Sequence, residues 1–359
     1  MKGLSTAPEK IVVRSTNWVG DVVMTVPALR EIRRLFPKSH IALWGPRYLA
    51  ELLSAVDVAD EIISFDKSDG SPLLRSFRVR RRLSEGRYDM VVLLQNAFES
   101  ALTAWSARIP IRVGYPTDLR GPLLSLRIPI LPNIRQKHEV YYYLAIADRL
   151  AQFYGRERDA RGIIPDCSIG IPPESMISAR KVLDRESGTS EGPIYAFCPG
   201  SVNSEAKRWP VEHFAALADK VIEILSGRAV FLGSAGERDL VARTMSLMRS
   251  RNAVNLAGLC GMLESMALMN VSRVVVSNDT GSAHLAVAAS ARVLTIFGPT
   301  RPSATAPFGP TAEIIGVEAP CAPCRNYRCP VAGRPCMTEL TPEMVFEKII
   351  SFPGIVAGI

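Results

Sequence analysis

In the stretch Ile11-Val12-Val13-Arg14-Ser15-Thr16-Asn17-Trp18-Val19-Gly20-Asp21, a β-branched run passes through hydroxyl and amide side chains to a glycine and an aspartate. Ile11-Val12-Val13 reads as a buried strand, and apolar residues then return at helical spacing in Val23, Val26, Leu29, Ile32 and Leu35. The pattern continues outward with strands at 41–44, 61–65 and 90–94 and helices at 73–83 and 100–107. Strands alternating with helices of this length imply a parallel sheet with right-handed crossovers.

A Pro/Gly-rich passage at 162–173 breaks the periodicity and is read as a domain boundary. The alternation then resumes, with strands at 194–197, 229–232, 274–277 and 293–297. Helices are expected at 211–224, 237–248, 263–269 and 281–289, and a last one at 341–351, capped by Thr341 with Pro342 in its first position. The expected fold class is α/β, with Rossmann-like domains at 1–165 and 166–359. Open sheets of this kind take ligands at the carboxyl ends of their strands, so a cleft between the two domains is the expected site.

The 359 residues are 47% hydrophobic and 22% charged, as in an ordinary globular protein. No apolar run reaches the roughly 20 residues of a membrane span. Residues 1–10 are polar and give no sign of a secretory signal, so a cytoplasmic protein is expected. The net charge of +8 is unevenly placed: residues 1–165 carry 25 Lys and Arg against 17 Asp and Glu, whereas residues 166–359 carry 18 of each. The run Arg78, Arg80, Arg81, Arg82 contributes to this excess. It reads either as a solvated helix face or as a field for an acidic partner: nucleic acid, an anionic membrane surface or a phosphorylated substrate.

Three stretches carry candidate chemistry. Asp21 at a helix start is either a capping residue or a carboxylate placed as general base for a hydroxyl. Pro199-Gly200-Ser201, followed by Lys207-Arg208-Trp209-Pro210, reads as a hydroxyl-rich loop and lysine suited to a pyrophosphate, or as a surface lysine beside a helix start. Ser277-Asn278-Asp279-Thr280-Gly281-Ser282-Ala283-His284 ends an apolar strand and opens a small-residue helix. Its amides, hydroxyls and dipole would point at an anion, with His284 either near it or packed on the strand. A dinucleotide G-x-G-x-x-G fingerprint is absent, which argues against a nicotinamide enzyme. Cys321, Cys324, Cys329 and Cys336 contain one C-x-x-C pair; reduced thiols are the first reading and a structural zinc the alternative.

Asn17-Trp18-Val19-Gly20-Asp21 with Met24 and Pro27, Lys207-Arg208-Trp209-Pro210, Asp279-Thr280-Gly281 with His284, and Phe297-Gly298-Pro299-Thr300 occur in order and spacing that resemble the lipopolysaccharide heptosyltransferases. The Cys-rich stretch before Thr338-Glu339-Leu340 is similar to that of their type II group. The resemblance implies a GT-B fold, two facing Rossmann-like domains with the acceptor held mainly by the first and the donor by the second. It implies an inverting transfer of L-glycero-D-manno-heptose from ADP-heptose to the anionic inner core of lipopolysaccharide, on a heptosyl-Kdo-lipid A acceptor, with peripheral contact at the inner membrane surface and no required metal or cofactor. By the same likeness Asp21 is the base. Ser201, Ser204, Lys207, Glu237, Asp279, Thr280, Gly281 and His284 attend the donor; Asn17, Asn96, Arg120, Arg135, Lys137 and His138 attend the acceptor. A type I heptosyltransferase, or a GT-B enzyme with another nucleotide sugar, remains as an alternative. A basic nucleic-acid-binding protein is more remote, because no recognition motif accompanies the arginines.

Overall fold

The computed structural model describes residues 6–66, 72–156, 164–187, 192–202 and 204–355. The chain divides into two compact units, the first ending at Cys167 and the second starting at Ser168. Of the 162–173 passage, Gly162 and Ile163 lie outside the described residues.

The first unit contains β1 (Lys10–Arg14), α1 (Val19–Leu35), β2 (His40–Pro46), α2 (Ala50–Ser54), β3 (Glu61–Phe65), α3 (Pro72–Gly86), β4 (Met90–Leu93), α4 (Phe98–Ser106), β5 (Ile111–Gly114), β6 (Leu126–Arg127) and α5 (Glu139–Phe153). Its sheet runs in the order β3-β2-β1-β4-β5-β6, every pairing parallel. Val12, Val91 and Leu93 from the sheet pack with Leu83, Ala101 and Ala104 from the helices above it.

The second unit contains α6 (Pro173–Ser187), β7 (Ile194–Cys198), α7 (Val211–Leu225), β8 (Arg228–Phe231), α8 (Arg238–Ser246), β9 (Ala253–Asn255), α9 (Met262–Asn270), β10 (Val274–Asn278), α10 (Gly281–Ala288), β11 (Val293–Ile296), α11 (Pro302–Thr305), β12 (Ala312–Ile315), α12 (Pro335–Thr338) and α13 (Pro342–Ile350). Its sheet, β12-β11-β10-β7-β8-β9, repeats the same topology and is also parallel throughout. Phe197, Phe231, Trp209, Phe214 and Leu217 fill its core with Val345 and Ile349 of α13.

In each sheet the winding reverses once, between β1 and β4 and between β7 and β10. The crevice outside the strand ends at such a reversal is where open α/β sheets bind ligands. The reading of Asp21 as a capping residue is corrected by the helix start. α1 begins at Val19 with Trp18 in the extended cap position, so Gly20 is already helical and Asp21 is its third residue. The carboxylate therefore meets the exposed amides of the first turn rather than capping the helix from outside.

Candidate active site

At the β1/β4 reversal, the guanidinium of Arg14 is buried under the loop that leads to Asp21. Its Nη1 donates to the Ser15 carbonyl at 2.6 Å and its Nη2 to Asn17 Oδ1 at 2.8 Å. Its charge lies over the Trp44 and Phe65 rings, at 5.0 and 5.1 Å from their centroids. Burial pushes Arg14 down to about 9, which leaves it charged at neutral pH, and the charge of Glu99 opposes that fall. The Tyr48 hydroxyl donates to the Asn17 carbonyl, so Asn17 is held from both sides. Asp21 sits half-buried just beyond. Burial, then the Asp21 charge, drives the neighbouring Tyr143 phenol well above its ordinary range.

The end of β4 presents Gln95 and Asn96, and here the expectation for Arg120 is corrected. Arg120 is fully buried. Its Nε donates to the Tyr115 carbonyl at 2.8 Å, its Nη1 to the Gln95 carbonyl and its Nη2 to Asn96 Oδ1 at 2.8 Å. A guanidinium engaged in this way orders the β4 and β5 loops and has no surface to offer an acceptor. Asn96, exposed, also donates to the Tyr142 hydroxyl of α5 at 2.7 Å. Arg135 and Lys137 are exposed on the segment entering α5, and His138 caps that helix by accepting from the Val140 amide at 3.3 Å. Arg120→Glu is therefore expected to act through stability. A carboxylate buried against three oxygen acceptors would cost about 4 kcal/mol or more. Thermal unfolding should fall by on the order of 10 °C, before any change in acceptor KM is read.

At the β7/β10 reversal, one buried side chain joins the two strand ends. Asn278 donates to the Pro199 carbonyl at 2.8 Å and the Gly200 carbonyl at 3.3 Å, and accepts from the Trp209 amide at 3.0 Å. This brings the two expected donor loops together. Lys207 Nζ meets Asp279 Oδ2 at 2.7 Å and the Asp279 carbonyl at 3.2 Å. Thr300 donates to the same carboxylate oxygen at 2.6 Å. Asp279 is 4% exposed, whereas the Lys207 side chain keeps 27% of its surface. Thr280 is the cap residue of α10, so Gly281 and the amides after it form the exposed helix start, with His284 packed inward. Glu237 accepts from the Ser234 amide and hydroxyl at 2.8 and 2.9 Å and lies against Gly200, where a β-carbon would come within 1.8 Å of its carboxylate. A larger residue there would displace the Glu237 carboxylate.

Ser201 and Ser204 are buried. The Ser201 carbonyl accepts from Arg208 Nη2 at 2.8 Å, and the Ser204 hydroxyl donates to the Tyr327 carbonyl at 3.2 Å. Ser204 thus ties its loop to the Cys-rich segment instead of presenting its hydroxyl outward. The same segment grips the loop elsewhere: the Ala206 amide donates to the Tyr327 carbonyl at 3.1 Å, and Arg334 Nη1 donates to the Glu205 and Arg208 carbonyls at 3.3 and 3.2 Å. The Arg325 amide donates to the Pro299 carbonyl at 2.7 Å. The Glu205 carboxylate turns to Arg328, 3.9 Å away, and not to Lys207.

All seven cysteines are free thiols, and among the described residues no three His, Cys, Asp or Glu are arranged to hold a metal. Cys336 packs against Gly298, and its thiol is pushed up first by burial and then by the neighbouring Cys321, Cys329 and Cys324.

Sequence reading missed Asn278 as the joint between strand ends, Thr300 as a partner of Asp279, and Arg334. The available signal was the polar pair Ser277-Asn278 closing an apolar strand, which a buried sheet tolerates only where the side chains have partners.

The glycosyltransferase family 9 (heptosyltransferase) model matches residues 76–333. The lipopolysaccharide heptosyltransferase 2 of Salmonella typhimurium is 27% identical over 347 residues, covering 95% of this chain and 98% of that one. Lipopolysaccharide heptosyltransferase 1 of Pseudomonas aeruginosa is 27% identical over 335 residues, covering 89% and 87%. The solved ADP-heptose heptosyltransferase II of Escherichia coli superposes with a TM-score of 0.78 at 26% identity, covering 95% and 97%. The two units are the Rossmann-like halves of a GT-B glycosyltransferase, and the chain belongs to glycosyltransferase family 9, the heptosyltransferases.

Proposed function

We infer that this glycosyltransferase moves L-glycero-D-manno-heptose from ADP-heptose to the inner core of lipopolysaccharide, with heptosyl-Kdo-lipid A as acceptor. The observation that carries the reading is the Lys207–Asp279–Thr300 cluster at the β7/β10 reversal, beside the start of α10. A cation fixed by a buried carboxylate next to a helix N-terminus suits a diphosphate leaving group.

In the transfer, the acceptor hydroxyl oxygen forms a bond to the anomeric carbon from the face opposite the nucleotide. The bond from that carbon to the β-phosphate oxygen breaks, and ADP leaves with the electron pair. Asp21 takes the hydroxyl proton, and the anomeric configuration inverts. Lys207, with the amides of Thr280 and Gly281, stabilises the charge that grows on ADP. Ser201 and Ser204 shape the diphosphate loop, while Asp279 orients Lys207. Glu237 and His284 border the nucleotide and sugar, and no metal is required for the step.

On the first unit, Asn17, Asn96, Arg135, Lys137 and His138 border the acceptor, whose carboxylates and phosphates match the basic excess of residues 1–165. No helix among the described residues is long and apolar enough to cross a membrane. The lipid-anchored acceptor of this reading would be met at the cytoplasmic face of the inner membrane.

The test is ADP release from ADP-heptose with purified heptosyl-Kdo-lipid A or Kdo-lipid A. Turnover with the heptosylated acceptor is the expected result. Preference for the heptose-free acceptor would move the chain to the type I activity. Release only with a different nucleotide sugar would overturn the donor.

A further inference from the structure

Helices α3 and α4 lie side by side in the same direction. Ser76 donates to Glu99 at 3.2 Å near their starts, and Ser84 donates to the Ala107 carbonyl at 3.4 Å near their ends. On α4, Ala101, Thr103 and Ala104 face inward, whereas Phe98, Leu102 and Trp105 are 46%, 40% and 52% exposed. Their spacing of four and three residues sets all three on one stripe. Phe77 of α3, beside Ser76, is 53% exposed as well. Single exposed apolar residues are ordinary, but an aromatic stripe on a helix of nine residues points to an occupant.

The charge beside the stripe says what the occupant carries. The sequence of α3 holds five arginines against one glutamate, and Arg78, Arg81 and Arg82 are exposed. Arg81 pairs with Glu85 at 2.7 Å and Arg82 with Glu61 of β3 at 2.8 Å, surface pairs that offset part of this charge and leave the row net positive. Arg80 lies over the Phe77 ring at 5.1 Å, so cation and apolar surface share one patch. A recess of about 420 Å³ beside this row is lined by Arg47, Arg78 and Arg82 with Ile63, Phe65 and Val79, an amphiphilic wall that suits a headgroup phosphate. A second copy of this chain would set arginine row against arginine row across a two-fold axis, which like-charge repulsion opposes. An anionic bilayer matches both features: Trp and Phe insert at the headgroup boundary while arginines meet phosphates.

We propose that the α3–α4 face docks this enzyme on an anionic phospholipid bilayer, with Phe98, Leu102 and Trp105 inserted and the α3 arginines on the headgroups. The biological purpose of the docking rests on the lipid-anchored acceptor inferred above; the binding itself does not.

The experiment sediments the full-length protein, without substrates, with vesicles of equal parts phosphatidylglycerol and phosphatidylethanolamine, and with vesicles of phosphatidylcholine. The native protein should partition onto the anionic vesicles at least about tenfold more strongly, and high salt should weaken but not abolish this. Phe98→Ser/Leu102→Ser/Trp105→Ser should lose at least about tenfold in partition, with unfolding temperature and ADP release on detergent-dispersed acceptor kept. Arg78→Gln/Arg81→Gln tests the charge independently and should lose a similar factor. Native-like partition by both variants overturns the proposal, as does no partition by the native protein. A native dimer that the triple variant turns monomeric makes this face a self-interface and also overturns it. Vesicle binding without ADP release would instead sink the functional reading and leave the docking standing.

Discussion

Asp21→Asn is expected to lower kcat at least about a hundredfold while leaving ADP affinity unchanged. General base catalysis contributes about 10²–10⁴, and asparagine keeps the shape of the side chain while removing its capacity to accept the acceptor proton. The competing role of Asp21 has a different size. As the third residue of α1 it also meets the helix dipole, an effect of about 0.3–1 kcal/mol. That alone would lower the unfolding temperature of a unit this size by about 1–4 °C and leave kcat intact. Steady-state kinetics and thermal unfolding on the same preparation separate the two. A stable variant with undiminished kcat would put the base elsewhere among the residues around Asn17 and Tyr143.

Lys207→Met is expected to lower kcat/KM for the donor by about 10²–10³, the usual size for one charge-stabilising donor at a transition state. The lysine also neutralises Asp279, which is buried, so loss of activity alone would not distinguish a diphosphate contact from a structural ion pair. Adding Asp279→Asn to Lys207→Met removes the stranded carboxylate while leaving an amide for Thr300. If Lys207 acts on the departing ADP, the double variant regains stability and remains inactive. Activity restored in the double variant would reduce Lys207 to a counter-ion. Calorimetry with ADP gives the corresponding binding loss without a turnover assay.

Sequence pattern made the fully buried strands and the long amphipathic helices legible, because burial dictates their residues. The apolar runs at β1, β4, β10 and β11 have one reading, and α1 and α7 show clear apolar faces. Unread were β5, β6, β9 and β12, strands of two to four residues near or at the sheet edges, where little burial is imposed on the sequence. α5 and α6 were also passed over, although their helical spacing is present.

Arg120 is the instructive miss at the site. Its charge suggested surface, and only the tertiary placement of the Tyr115 and Gln95 carbonyls makes its burial affordable. The loops around Asp21, Lys207 and Asp279 were legible because strand ends in parallel sheets have a fixed relation to the helices that follow. What joins those loops, through Asn278, Thr300 and Arg334, depends on residues far apart in the chain.

That distance has a consequence for biosynthesis. Trp209 bonds to Leu340 across 131 residues, Arg334 to Glu205 across 129 and Ser204 to Tyr327 across 123. Closing such long loops is slow and comes after local structure. Before residues 327–340 have been synthesised, a nascent second unit can pair β7, β8 and β10, yet its Lys207 loop lacks Tyr327, Arg334 and Leu340 to hold it. The loop that carries Lys207 is then among the late parts of the second unit to be fixed, and it takes its final form only once the Cys-rich segment has folded back.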